Sequence, residues 1–390
     1  MHVLTECVYF LGRIDRVMPY HVPMPGAGRS ALVEQIRARG LAGILLTSPE
    51  NVYYTSGLPT LPGCGNPILF SLRNQLPFFV FIGADGKTTL LCWIGATLGF
   101  SFEVDEVRSF FNRESALDEL QEVLAATLQS GAMLGVESSC QLDVLSRLQR
   151  LVEPSSLIVI DELLLQQRLC KTEMELALLR RATAIVEQTV AELRKQVAPG
   201  ISRLALINTA KRLLLEHGAT GIGHTTIAFG AANPEIAFDE VLAPGQVVTL
   251  DLGAVVDGYT SDNRRLLYTG PVPDDLHALH QTMCSIVERL GRALVPGTPF
   301  ADLYNLATEL YAAHDLPPYF MSVGHSIGLQ TEETWITFDS PYTVQPGMVL
   351  NIELYTAYHD GSNIGDEETF LVTEHGAVRL TQTDPAIQSI

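Results

Sequence analysis

The second half of this 390-residue chain repeats itself, and that repeat constrains the fold more than any other feature. Pro199-Gly200 is followed by Leu206, Asn208, Ala210, Leu213 and His217. Pro296-Gly297 is followed at the same offsets by Leu303, Asn305, Ala307, Leu310 and His314. The spacing predicts two equivalent amphipathic helices. Gly223-His224-Thr225 then recurs as Gly324-His325-Ser326, and Pro244 to Asp251 recurs as Pro346 to Glu353, which makes Asp251 and Glu353 repeat mates. Each copy next reaches an Asp-Gly turn, Asp257-Gly258 and Asp360-Gly361, followed by a further acid, Asp262 or Glu367. A pseudo-twofold axis between two such hairpins gathers their carboxylates.

The first hairpin is specified closely. Asp251 lies in the apolar run Val247 to Val256, and Asp257-Gly258 is a strong two-residue hairpin signal. With those two residues as the loop, Val256 faces Tyr259 and Gly253 faces Asp262, so Asp251 sits diagonal to Asp262 on one face. Two carboxylates that close repel unless they share a proton or hold a cation. The alternative is a solvated ribbon carrying surface acids, and the apolar strand speaks against it. The loop of the second hairpin reads as longer than two residues, which leaves its register open. Four carboxylates and one imidazole, Asp251, Asp262, Glu353, Glu367 and His325, have the composition of a two-metal hydrolytic site.

Composition excludes several functions. The formal charge of -19 removes the clustered cations that nucleic acid requires, and no apolar run reaches the length of a membrane span. Glu6, Arg13, Asp15 and Arg16 interrupt the N-terminal apolar stretches, so no secretion signal is expected there. Cys7, Cys64, Cys92, Cys140, Cys170 and Cys284 lack metal or disulfide spacing and suit reduced thiols in the cytoplasm.

Residues 1–165 read as an α/β domain. Helices are expected over 31–41 and 116–131, and strands over 43–47, 78–82, 88–93, 134–137 and 157–160. Tyr53 and Tyr54 either line a site or pack in the core. The loop Pro59 to Pro67 reads as a lid or interface segment. A long amphipathic helix, Thr172 to Val197, opens a second domain, residues 166–390, with its charges on a solvated face. Its helices and two hairpins give an α+β architecture with an internal twofold.

These residues resemble the pita-bread metallohydrolases, the family of prolidase, aminopeptidase P, methionine aminopeptidase and the metal-free relative creatinase. The resemblance rests on Asn51 to Gly57, Arg168 to Glu175, Asp251-Leu252-Gly253, Gly258 to Asp262, Gly324 to Leu329, Ile352-Glu353 and Glu367-Glu368-Thr369. It implies a pita-bread catalytic domain behind a smaller creatinase-like N-terminal domain, and a layout closest to Xaa-Pro dipeptidase. It implies two divalent ions, manganese favoured over cobalt, iron or zinc. Asp251 would bind one, Asp262 and Glu367 would bridge, and His325 and Glu353 would complete the second. A metal-bridged hydroxide would attack an amide carbonyl, with Glu353 as proton shuttle. It also implies a homodimer.

The departures from the family pattern bear on substrate. Glu332 stands near the position of a second histidine, and Pro234 to Asp239 contains none where the family has another. Gly365 stands where the family carries an arginine, and Arg264 replaces a threonine. His224 either supplies the missing imidazole or is a core histidine. Glu332, with Glu333 and Asp239, either receives a cationic substrate group or is an exposed loop acid. Arg265 and Tyr54 are candidates for substrate contact. Three functions follow: an Xaa-Pro dipeptidase or aminopeptidase, a metal-dependent C–N hydrolase or lyase acting on a small non-peptide molecule, and a binding protein on a retired enzyme fold.

Overall fold

The computed structural model describes residues 20–22, 29–64, 66–233, 236, 239–317 and 320–390. The N-terminal charges and Cys7, and Pro234, Glu235, Ala237 and Phe238, lie outside the described residues. The chain divides into two compact units: residues up to Pro62 with Asn66–Arg168, and a second made of Gly63, Cys64 and Leu169–Ile390.

The first unit is built on a six-stranded mixed sheet. Its order is Glu106–Phe110, Thr88–Trp93, Phe79–Gly83, Leu41–Leu46, Met133–Val136 and Leu157–Val159. Leu41–Leu46 reads as an unbroken apolar run because helices cover both faces. Ile44 and Leu46 pack with Leu32, Ile36 and Leu163 on one side, and Leu45 packs with Leu117, Leu120 and Leu124 on the other. The helices Arg29–Ala38 and Arg113–Thr127 lie where periodicity places them. Pro49–Ser56 is a helix that the apolar pattern does not announce. Its signals are local: Ser48 accepts the Asn51 amide as N-cap, Pro49 begins the first turn, and Gly57 ends it at φ 75°.

The second unit carries the repeat. Helices Arg203–Glu216 and Phe300–Ala313 are both 14 residues long and occupy the predicted positions. The long helix runs from Glu173 to Leu193 behind a capping box formed by Thr172 and Glu175. Its mate, Asp274–Ala293, was not foreseen, because the sequence repeat becomes visible only after it. The expected solvated face needs one correction. Glu175 is buried, its carboxylate accepting from the Thr172 amide and from the Tyr259 hydroxyl at 2.9 Å.

Two antiparallel hairpins form the heart of this unit. Strand Val247–Val256 pairs on one edge with Gly221–Phe229 and on the other with Tyr259–Thr260 and Asn263–Tyr268. Val256 faces Tyr259 as predicted, across a turn with positive φ at Asp257 and Gly258. Ser261 and Asp262 interrupt the returning strand, although the Ser261 amide still reaches the Ala254 carbonyl. Register resumes with Leu252 opposite Asn263 and Asp251 opposite Arg264, so Asp262 does lie diagonal to Asp251. The second hairpin joins Val349–Ala357 to Asn363–Thr373 through the five residues 358–362, and Glu353 falls directly opposite Glu367.

Alternation sorts the side chains. Leu250, Leu252 and Ala254 point into helices Glu173–Leu193 and Arg203–Glu216, packing with Val186, Leu206 and Leu213. Thr249, Asp251 and Gly253 therefore point away from those helices. In the second hairpin, Ile364 packs toward helix Asp274–Ala293 beside Leu276, and Phe370 presses on Gly291 of the same helix. Glu367 and Thr369 thus face the side opposite that helix.

Candidate metal centre

The four acids and one histidine chosen from sequence converge on one side of the paired hairpins. Asp262, His325 and Glu367 offer ligand atoms within 4.8 Å of one another; so do His224, Asp251 and Asp262, and His325, Glu332 and Glu353. These triads overlap through Asp262 and His325. Nε2 of His325 lies 3.7 Å from Asp262 Oδ2 and 3.9 Å from Glu353 Oε1. Its Nδ1 is 3.3 Å from the Ser326 carbonyl, an arrangement that places the proton on Nδ1 and turns the Nε2 lone pair toward the acids.

Whether these residues suit a cation is decided by atoms that lack partners. Asp262 Oδ1, Glu367 Oε2 and His325 Nε2 are buried and accept no hydrogen bond. Native interiors satisfy their polar atoms, so acceptors orphaned from three different strand segments mark a place built for something positive. The acids are correspondingly uneasy without it. Burial, then the charges of Asp262, Asp251 and Glu353, push Glu367 well above the ordinary carboxylate range. Burial pushes Glu353 up to about 7, against the pull of His325. Asp251 is held below its usual value despite its burial, chiefly because His224 hydrogen-bonds to it.

His224 is part of this cluster. Its Nε2 hydrogen-bonds Asp251 Oδ1 at 2.9 Å and lies 3.0 Å from Asp262 Oδ1 without donor alignment. Its pKa is raised well above 6.5: burial lowers it, but Asp262 and Asp251 outweigh that. Gly253 makes room for it, since a Cβ there would come within 2.5 Å of the imidazole Nδ1. The repeat equivalence with His325 is sequence-deep only. His224 sits opposite Gly253, two residues after Asp251, whereas His325 sits opposite Asn351, two residues before Glu353. A bulge between Gly253 and Ala254 further offsets the first strand pair.

Other expectations are corrected. Tyr54 is buried in the first unit with its hydroxyl donated to the Gln167 carbonyl at 2.9 Å, so it is a packing residue. Arg265, expected at the substrate, points the opposite way from Asp251, because it pairs with Leu250 on the helix-covered face. Its guanidinium is spent there on the carbonyls of Arg264 and Glu367, on Thr383 and on Glu368. Glu333 is closed to substrate by a buried ion pair with Lys171 at 2.9 Å. Asp239 is exposed. Glu332 is also exposed, accepts from the Trp335 indole at 2.8 Å, and stands at the rim beside His325 and Glu353.

Two residues were overlooked. The Asn351 amide donates to Glu367 Oε1 at 2.6 Å and to the Asp262 carbonyl at 3.3 Å, and Thr369 donates to Asn351 Oδ1 at 2.6 Å. Together they hold Glu367 in place. The available signal was a polar residue two places from each acid, Asn351 before Glu353 and Thr369 after Glu367. Arg264, noted in the sequence as a departure, is the partner of Asp251 and shares the face of the acids. Gly365 has its own reason for lacking a side chain, since a Cβ there would meet the Leu354 carbonyl at 2.5 Å.

Another mixed cluster, His280, Cys284 and Asp366, lies on the helix side of the sheet. His280 Nδ1 already accepts the Ile387 amide at 3.2 Å, which leaves it no lone pair toward a cation there.

Comparison with known proteins places this geometry. Residues 177–374 match metallopeptidase family M24, and residues 29–170 match the creatinase/prolidase N-terminal domain. The chain belongs to metallopeptidase family M24. It is 25% identical over 362 residues to an Xaa-Pro dipeptidase of Pyrococcus furiosus, covering 90% of this chain and 97% of that one. It is 27% identical over 360 residues to a putative dipeptidase of Bacillus subtilis, covering 89% and 95%. Among solved structures it is similar to the prolidase of Pyrococcus horikoshii, with a TM-score of 0.78 at 22% identity over 91% of this chain and 98% of that one. It is also similar to the X-Pro aminopeptidase of Thermotoga maritima, with a TM-score of 0.77 at 22% identity over 93% and 99%. The fold is therefore the pita-bread layout behind a creatinase-type N-terminal domain, and the chain is a metallohydrolase of that family. Among the described residues no helix is long and apolar enough to cross a membrane.

Proposed function

We propose that the protein is a dinuclear metal-dependent hydrolase that cuts the amide bond of small Xaa-Pro substrates, with residues 166–390 as its catalytic domain. The observation that carries this reading is the trio of orphaned acceptors on Asp262, Glu367 and His325. Asp251, Asp262, His325, Glu353 and Glu367 are the residues that would hold two divalent ions. An oxygen-rich set with few nitrogens suits manganese. Bound there, the ions would polarise the scissile carbonyl and make water nucleophilic near neutral pH.

The protein's own groups divide the remaining work. Glu367 is fully buried and clamped by Asn351, which suits a fixed ligand. Glu353 keeps a quarter of its side chain exposed, 25%, which leaves it able to take a proton from the attacking water and deliver it to the leaving nitrogen. His224 holds Asp251 and Asp262 from the side of strand Gly221–Phe229. Glu332 at the rim offers a negative contact for the substrate's amino end. A cytoplasmic setting and a homodimer belong to the same reading.

The test is hydrolysis of Gly-Pro, Ala-Pro and a longer Xaa-Pro peptide by manganese-loaded protein. Glu353→Ala should lower the rate on the order of 10³-fold. If the wild type cleaves none of these above that variant, the second reading takes over: a small non-peptide C–N substrate, favoured by an acid, Glu332, beside His325 and Glu353.

A further inference from the structure

Asp262 has a different imidazole at each of its two carboxylate oxygens. Oδ1 lies 3.0 Å from Nε2 of His224, and Oδ2 lies 3.7 Å from Nε2 of His325. Each ring also reaches the first acid of one hairpin, His224 to Asp251 at 2.9 Å and His325 to Glu353 at 3.9 Å. The five residues read as ligands therefore leave out a nitrogen that stands among them. They also give one ion an imidazole and the other none.

The surroundings of His224 suit a ligand better than a hydrogen-bond donor. One N–H aims along one line, whereas Nε2 stands almost equally far from Asp251 Oδ1 and Asp262 Oδ1. Asp262 Oδ1 is buried and accepts no hydrogen bond even so. An ion set between the three atoms would meet all of them at once. Neighbouring ligand atoms on a six-coordinate ion with bonds of ~2.1 Å stand roughly 3.0 Å apart. The two separations at Nε2, 2.9 and 3.0 Å, have that spacing. The backbone keeps the ring there, because His224 pairs across the strands with Gly253, where a Cβ would come within 2.5 Å of Nδ1.

We propose that His224 is a sixth metal ligand, which gives the ion at Asp251 an imidazole of its own. This rests on the dinuclear reading above and deepens it. His224, Asp251 and Asp262 hold one ion, His325, Asp262 and Glu353 the other, and Glu367 is shared. The consequence is selectivity: imidazole strengthens the binding of zinc more than that of manganese, so the added nitrogen tilts one position toward zinc.

The experiment loads wild type, His224→Ala and His224→Gln with manganese or zinc and measures the affinity for each ion by calorimetry. Glutamine keeps an N–H for Asp251 while removing the imidazole, so it separates a ligand from a hydrogen-bond donor. In both variants one of the two ions should lose about 100-fold in zinc affinity and about 10-fold in manganese affinity, the other ion being little changed. Nitrogen NMR of zinc-loaded protein labelled with 15N in histidine supplies a readout that needs no substitution to fold. Two imidazole Nε2 signals of wild type should move on loading to the position of metal-bound nitrogen, and His224→Gln should lack one of them. A wild type in which only one imidazole binds zinc overturns the proposal. So does a His224→Gln protein that binds both ions as wild type does, or variants in which both ions are weakened equally for both metals. If both imidazoles bind zinc and no Xaa-Pro peptide is cut, the peptidase reading fails and the sixth ligand stands. If peptide is cut by protein whose ions take one imidazole, the reverse holds.

Discussion

Asp366 and Glu368 point one way from strand Asn363–Thr373 and Glu367 the other, and the two sides treat their acids in opposite fashion. On the helix side, Glu368 lies 3.1 Å from Arg265 and 3.5 Å from Arg379 and accepts the Thr381 hydroxyl, while Asp366 lies 4.0 Å from Arg265. On the open side, Glu367 has one oxygen held by Asn351 and the other unanswered, and the nearby Arg264 keeps clear of it. A crowd of carboxylates is thus no signature of a metal centre by itself. Acids paired with arginine on the helix side belong to the architecture; Glu367, which no arginine pairs, belongs to the candidate site.

That contrast can be broken most forcefully on the helix side. Glu368→Ala should cost about 3 kcal/mol of stability, read as a lowered urea midpoint, because it strips the buried Arg265 of its main countercharge. A neutral result would mean that Arg265 is satisfied by carbonyls alone. Acidity sharpens the contrast next. A carboxyl whose pKa is higher folded than unfolded binds its proton on folding, so its stabilising effect is complete below the unfolded value and is lost as pH rises through the folded one. Glu353, moving from 4.5 to about 7, should therefore make metal-free protein less stable by roughly 2 kcal/mol between about pH 5 and pH 8. His224, raised by its two aspartates, acts in the same direction above 6.5, while the lowered Asp251 matters only below 3.8. Urea titrations should show this slope without manganese and a flatter one with it. The smallest effect is the opposite in sign to the first: Glu367→Gln should stabilise metal-free protein by about 1 kcal/mol in the same assay, since burial and the charges of Asp262, Asp251 and Glu353 penalise the carboxyl it replaces.

Much of this was legible in the residues. The helices after Pro199-Gly200 and Pro296-Gly297, the two-residue turn at Asp257-Gly258 and the convergence of Asp251, Asp262, His325, Glu353 and Glu367 all follow from period and repeat. What sequence hid was directional. Arg264 and Arg265 are adjacent, and only the ladder decides that the first looks toward Asp251 and the second toward Glu368. His224 and His325 share a motif but not a register, because the pairing of a strand is set by its neighbours across the sheet and not by the motif itself. Helix Asp274–Ala293 was missed because the sequence repeat becomes visible only after it. Tyr54 read as a site residue because a hydroxyl directed at the Gln167 carbonyl depends on contacts 113 positions apart.

The empty volume beside the Gly253 α-carbon carries a lesson for anyone redesigning this enzyme. An imidazole fills it from the neighbouring strand, at 2.5 Å from where even a single methyl would stand. The identity of residue 253 is therefore a steric licence for residue 224, and the two form one unit of inheritance: alanine at the first evicts the ring at the second, and a chain that lacks the ring is free to enlarge the first.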